Sequence, residues 1–300
     1  MPRLDVLKTY KLFIDGKFPR TESGRSWPVR SGIAARGKKT NDSPVVAHLC
    51  LASRKDLREA VEAARKVQPG WAHATAYNRG QILYRMAEMM EGKRRELEEA
   101  VALVAINGKK PTARAAAAEV EAAIDRLVCF AGWADKFGQE LGCNTPVSGP
   151  FYNFTVPEAT GVVAVLPPDE HPLLGLIALA APALCAGNTV ITLASEANPI
   201  PAAVLGEVCA TSDVPGGVFN ILTGTRDELV SFIAGHRDID AIHAAGLPDE
   251  HATKLRAGAA ENLKRVVTHA DADFNSAAAT SPWWIEPFVE MKTIWHPAAV

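Results

Sequence analysis

Five short apolar runs begin at residues 161, 189, 218, 240 and 263, at intervals of 28, 29, 22 and 23 residues. The segments between them, 172–186, 200–211, 226–234 and 250–262, carry helical patterning. No other feature constrains the fold as strongly. Strand–helix–strand units of this length cross over right-handed and build one parallel sheet with helices on both faces. Strands buried on both faces lose the apolar–polar alternation, and Gly161–Leu166 and Thr189–Leu193 are unbroken in that way. The expected class is therefore α/β.

The first 140 residues read differently. Residues 11–20 predict a hairpin around Asp15-Gly16, a dipeptide suited to a tight turn. Residues 31–44 read as loop. Ser53 opens a helix with Leu57, Val61, Ala64 and Val67 on one face and Asp56 near its start, and Pro69-Gly70 is expected to end it. Residues 78–104 predict helix, with Leu83, Met86 and Met90 on one stripe and Glu91 to Glu99 on a solvated face. Pro111 to Phe130 is a further amphipathic, Ala-rich helix. Two β-prone segments, Tyr152–Pro157 and Phe288–Trp295, stand outside the strand–helix series.

Composition excludes several classes. Lys+Arg is 32 against Asp+Glu 34, a net charge of −2, so no basic excess drives nucleic-acid binding. The longest apolar stretch, Pro172–Gly187, is shorter than the roughly 20 residues a membrane span needs. It reads instead as a buried helix kinked at Pro182 and capped at Gly187. Five cysteines without a Cys-x-x-Cys pair fit neither a disulfide framework nor a zinc site. Met1 to Lys11 has no apolar core of a secretory leader. A soluble, cytoplasmic chain is expected.

Open parallel sheets bind ligands beyond the carboxyl ends of their strands. Four loops fall there. Pro167–Pro172 carries Asp169, Glu170 and His171, either an acid/base cluster or caps for the helix that follows. In 194–198, Glu196 could accept ribose hydroxyls, while Ser195 or Asn198 could equally cap a helix. The 223–227 loop has Gly224 but no Gly-x-Gly-x-x-Gly, and its Arg226 could pair a phosphate or simply Asp227 or Glu228. The 244–247 loop holds Gly246 and offers no hydrogen-bonding side chain.

At these residues the chain resembles the aldehyde dehydrogenase superfamily. Residues 12–24 are similar to its opening hairpin. Ala181–Glu196 (APALCAGNTVITLASE) resembles its Ala-Pro-Ala-Leu-x-x-Gly-Asn-Thr-Val-x-x-Lys-Pro-Ser-Glu block, and 214–224 (VPGGVFNILTG) its Leu-Pro-x-Gly-Val-x-Asn-x-x-x-Gly block. Residues 262–267 resemble the strand leading to its general base, and 288–295 its carboxyl-terminal strand. Gly70-Trp71, Thr75–Gly80 and Lys292–Pro297 extend the resemblance most closely to the non-catalytic second module of family-16-type two-module members.

The resemblance implies a Rossmann-like, NAD-domain-like unit over 1–140 and 158–270. It also implies a small β oligomerisation arm over 141–157 and 281–300, with the catalytic domain missing between them. The family's reaction uses a cysteine thiolate, oxyanion donors, a nicotinamide cofactor and a general-base carboxylate. Here Glu170 falls where the oxyanion-holding Asn belongs, and a carboxylate there repels the developing charge. Leu193 replaces the adenosine-side Lys, Ala245-Gly246-Leu247 replaces Thr-Gly-Ser, and Arg226 replaces the second glycine of Thr-Gly-x-Gly. The general base falls near His269. No cysteine follows Cys209 in the 300 residues, so no catalytic residue is assigned.

Ser195, Glu196, Gly224 and Gly246 remain as a degraded cofactor-site remnant. No bound cofactor is expected, NAD(P) being only the family's cofactor, and no metal. The implied role is a non-catalytic structural or regulatory subunit. The implied partner is a full-length catalytic aldehyde dehydrogenase, or a second copy, meeting the arm through Phe288, Val289, Met291 and Trp295. The rival expectation is an active oxidoreductase or a nucleotide-binding regulator. Two arm segments pairing only with each other is the simplest alternative for the arm.

Overall fold

A computed structural model describes residues 6–32 and 43–298. Most of the loop expected at 31–44, and the first five residues, lie outside the described residues.

The N-terminal part begins with β1 (Thr9–Tyr10), β2 (Ser26–Arg30) and β3 (Val45–Cys50), a small sheet in the order β1-β3-β2. Between β1 and β2 the expected hairpin is present: Ile14 and Lys17 exchange backbone hydrogen bonds, with Asp15 and Gly16 both in the left-handed region the turn demands. Phe13 of this hairpin also exchanges backbone bonds with Ile221, stitching it to the central sheet.

α1 (Arg54–His73) starts at a full capping box. Ser53 Oγ accepts from the N–H of Asp56, and Asp56 Oδ2 accepts from the N–H of Ser53 at 2.7 Å. Pro69-Gly70 does not end this helix as expected; it runs on to His73. The reason is tertiary. Trp71 is buried, and its indole N–H donates to Leu184 O at 3.1 Å, anchoring one more turn. The helix expected over 78–104 is two, α2 (Ala76–Gly92) and α3 (Arg94–Leu103), which meet at Lys93. α4 (Ala113–Trp133) and the short α5 (Phe137–Leu141) complete this layer, followed by β4 (Cys143–Asn144) and β5 (Phe151–Ala159).

The central unit alternates as expected: β6 (Val162–Leu166), α6 (Leu174–Cys185), β7 (Thr189–Leu193), α7 (Ile200–Ala210), β8 (Phe219–Leu222), α8 (Arg226–Gly235), β9 (Ala241–Ala245), α9 (Asp249–Ala259) and β10 (Arg265–His269). α6 continues through Pro182. All five strands are parallel, in the order β10-β9-β6-β7-β8. Their side chains alternate between two cores. Val163 and Val165 join α2, α4, α6 and α7 on one face, while Val162, Ala164 and Leu166 join α1, α8 and α9 on the other. Among the described residues no helix is long and apolar enough to cross a membrane.

From β10 the chain crosses the sheet face in three single 3-10 turns, at Ala277–Thr280, Pro282–Trp284 and Glu286–Phe288. It then enters β11 (Val289–Pro297). Arg126 of α4, buried, pins this crossing by donating to the carbonyls of Phe274 and Ala279. β11 pairs antiparallel with β5 along its whole length, from Val289↔Ala159 to Pro297↔Phe151, and β4 pairs on the far side of β5. The two β-prone outliers thus form one arm.

The arm corrects part of the expected contact surface. Phe288 and Val289 are buried within this chain and cannot face a partner. Phe288 packs against His243 with ring centroids 4.6 Å apart, and its carbonyl accepts from Asn188 Nδ2 at 2.9 Å. Met291 and Trp295 remain exposed, with Trp295 edge-on to Phe151.

Candidate functional site

Strand order sets where a ligand could enter. From β6 the chain steps outward through β7 and β8, then returns to place β9 and β10 on the other side. The switch point lies between β6 and β9, at the loops after Leu166 and after Ala245. A cavity of about 430 Å3 opens there, lined by Pro168, Glu170, His171, Gly246, Asp271 and Phe274 among others.

The four singled-out loops converge on this end of the sheet, but they bind one another. Asp169 and Arg226 form a two-pronged ion pair: Nη1 to Oδ2 at 2.6 Å and Nη2 to Oδ1 at 2.8 Å. Arg226 Nη2 also donates to Pro167 O. The guanidinium is almost wholly buried, at 6% side-chain exposure against 25% for Asp169. Arg226 therefore pairs with neither Asp227 nor Glu228, the surface partners expected from its neighbours in sequence. Asp169 Oδ1 further accepts from Ser195 Oγ at 2.7 Å and from the N–H groups of Glu196 and Ala197. Burial opposes ionisation of Asp169. The Arg226 guanidinium and the Ser195 and Ala197 donors outweigh it and hold the carboxyl below the usual range.

Of the residues expected to form a cofactor-site remnant, Ser195 and Glu196 are engaged in the same network. Ser195 Oγ accepts from Asn198 N–H at 3.1 Å while donating to Asp169, so it acts as a turn cap. Glu196 Oε2 accepts from the Arg226 N–H at 2.9 Å, capping the start of α8. Gly224 lies against Ala52 and Leu229. Gly246 has φ +60°, and a Cβ there would come within 2.7 Å of Pro168 Cβ, so the 167–172 loop rests on it.

Of the other two loop candidates, Glu170 is exposed and accepts a long hydrogen bond from Asn107 at 3.4 Å. His171 stands edge-on to Phe274. Neither carboxylate of this loop caps α6. Glu119, from α4, does: its Oε1 accepts from the N–H groups of Leu173 and Leu174. Burial pushes the Glu119 carboxyl up despite those two bonds. Sequence reasoning missed Glu119 because the cap comes from another helix, 54 residues away.

Helix N-termini favour anions. Here α9 opens with Asp249 and Glu250, and α8 with Asp227 and Glu228, so their own carboxylates occupy that field.

His269 ends β10 beside His243. Their Nε2 atoms are 3.0 Å apart, and His243 Nδ1 is 2.8 Å from Leu179 O. Nδ1 therefore carries the His243 proton, leaving Nε2 to accept from His269. Burial drives His243 down to about 3, so it stays neutral. Trp284 stacks on His269 at 4.6 Å and 13°.

All five cysteines are unpaired thiols. Cys185 and Cys209 are buried core residues, and burial raises both above the ordinary thiol range. Among the described residues no group of three or more His, Cys, Asp or Glu side chains could hold a metal ion.

The model for the aldehyde dehydrogenase family matches residues 37–273. Mouse (Mus musculus) retinal dehydrogenase 2 is 33% identical over 289 residues, covering 92% of this chain and 53% of that protein. Cytosolic aldehyde dehydrogenase 1 of Elephantulus edwardii is 32% identical over 280 residues, covering 89% and 53%. Among solved structures, the NAD+ complex of an aldehyde dehydrogenase from Bacillus cereus superposes with a TM-score of 0.79 at 26% identity, covering 87% of this chain and 50% of that one. The chain spans about half the length of the curated relatives it matches.

Proposed function

Because the chain belongs to the aldehyde dehydrogenase family, we propose that it is a non-catalytic subunit whose cofactor-facing side chains are engaged by one another. The observation that carries this reading is the Asp169–Arg226 pair. It consumes Ser195 directly, and Glu196 is spent on the backbone of Arg226 itself.

NAD(P), the family's cofactor, does not fit the residues present. Its ribose would have to take Glu196 from the start of α8. Its phosphates would meet the Asp249 and Glu250 carboxylates at the start of α9. Pro168 rests directly against Gly246, leaving no room for a side chain there.

The rest of the machinery supports the same reading. Glu170, not an amide donor, stands in the 167–172 loop, and His269 is committed to His243 and Trp284. Residues 270–288 lead from β10 directly to the arm without a cysteine. We divide the chain into an NAD-domain-like unit, 1–140 and 158–270, and an arm, 141–157 and 281–300. The resemblance to the second module of family-16-type members supports a scaffold or regulatory role.

The partner we propose is a catalytically complete aldehyde dehydrogenase docked along β11. That strand is the last in its sheet, and an open edge with exposed Met291 and Trp295 invites strand addition. Co-purification from the native source tests this. Recovery with an intact aldehyde dehydrogenase is expected; recovery only as a monomer or homodimer overturns it.

Calorimetry with NAD(H) and NADP(H) tests whether Ser195 and Glu196 are unavailable to a cofactor. No saturable micromolar binding that depends on Glu196 is expected. Micromolar binding that disappears in Glu196→Ala would restore the cofactor reading. The isolated chain should show no aldehyde oxidation. Turnover abolished by replacing a single cysteine would refute the non-catalytic assignment.

A further inference from the structure

Helices α1 and α8 enclose a second groove of about 430 Å3 that shares no lining residue with the switch-point cavity. Arg54, Lys55 and Arg58 line one side, Phe232 and His236 the other. The three cations stand in the first two turns of α1, where the helix's own dipole disfavours positive charge. Lys55 reaches Glu22 at 3.1 Å and Arg58 reaches Glu62 at 3.5 Å. All four of those side chains are well exposed, so both pairs are weak and free to exchange for another anion.

Arg54 differs. Among the described residues it has no carboxylate within ion-pair distance. Its guanidinium instead lies over the Phe232 ring, 5.4 Å from the centroid. That ring is 39% exposed, although it belongs to a helix whose inner face is well buried. A lone exposed ring needs no explanation. A ring that holds an unpaired guanidinium at the mouth of a cavity, with two more cations in reach, is a platform for a flat neutral ring joined to a negatively charged group. His236 adds a donor. Its Nδ1 accepts from Asp238 N–H at 3.2 Å, so the proton of the neutral ring sits on Nε2. Burial lowers the His236 pKa and keeps the ring neutral at physiological pH.

We propose that this groove binds a nucleoside phosphate, its base stacked at Phe232 and Arg54 and its phosphate held by Arg54, Lys55 and Arg58. A mononucleotide suits the groove better than a nucleic acid, because the chain as a whole is slightly acidic and offers no extended basic track. The site does not depend on the reading of the switch-point crevice given above.

Isothermal titration calorimetry on the full chain tests it with ADP, inorganic phosphate and adenosine as separate titrants. Saturable binding of one ADP is expected, weaker at higher salt, with phosphate and adenosine each at least about tenfold weaker. Arg54→Glu and Phe232→Ala should each reduce ADP affinity about tenfold or more. Both side chains lie at the surface of the groove, so the thermal unfolding midpoint should be unchanged. The proposal is overturned by absence of ADP binding, by binding indifferent to both substitutions, or by phosphate binding as tightly as ADP. It is also overturned if Glu196→Ala, and not Arg54→Glu, abolishes binding, since ADP would then occupy the switch-point crevice.

Discussion

Asp169→Ala is expected to destabilise the chain by about 3–5 kcal/mol, the typical cost of removing one partner from a buried ion pair. The mechanism is the orphaning of Arg226. Its guanidinium, 6% exposed, would keep only Pro167 O as an acceptor. The Ser195 hydroxyl and the N–H groups of Glu196 and Ala197 would lose the same oxygen at once. Asp169→Asn keeps one acceptor and loses the charge, so it should cost about half as much. Urea unfolding measures both; a loss below about 1 kcal/mol for the alanine variant would mean that the pair behaves as a surface bridge.

The pH dependence follows in sign. Asp169 titrates below its unfolded value of about 3.9, because Arg226, Ser195 and Ala197 outweigh the burial that opposes its ionisation. Its contribution is therefore complete above that value. It is lost as pH falls through the folded pKa. In Asp169→Ala this part of the acid-induced loss should be missing from a stability-versus-pH profile.

Phe288→Ala should cost a similar amount, about 3–5 kcal/mol, because it empties a fully buried aromatic site. Phe288 fills the space between His243 and the crossing that leads to β11. Its backbone carbonyl accepts from Asn188 Nδ2 and from Thr160 N–H, so the residue ties the turn after α6, the turn between β5 and β6, and the arm together. The substitution should loosen the arm before it unfolds the sheet. Hydrogen exchange should show faster exchange of the 289–297 amides than of the 162–166 amides. Uniform loss of protection across both would show that the arm is not a separate cooperative unit.

The parallel sheet was legible because its strands are short, apolar and regularly spaced, and because burial on both faces leaves a continuous apolar signature. The capping box at Ser53 and Asp56 was legible for a related reason: its partners are three residues apart. The Asp169–Arg226 pair was not. Asp169 and Arg226 are separated by 57 residues and meet only after β6, β7 and β8 are laid side by side. One signal was present, an arginine where the resemblance calls for glycine, two crossovers from an uncompensated aspartate. Pro69-Gly70 shows the opposite failure, a correct local rule overridden by the burial of Trp71. Phe288 and Val289 were assigned to a contact surface because strand patterning alone cannot say which end of a strand is rooted in the core.

The Asp169–Arg226 pair also constrains how this chain can change. Replacing Arg226 with glycine, the residue the resemblance calls for, leaves an aspartate ringed by donors without its countercharge. Replacing Asp169 first strands a buried guanidinium. Either single step passes through a destabilised protein, and only a concerted double change avoids it. Pro168 against Gly246 adds a third position to that requirement. In evolutionary terms the pair behaves as a ratchet: substitutions at exposed positions cost little, whereas exchanging Asp169 or Arg226 one at a time crosses a stability valley.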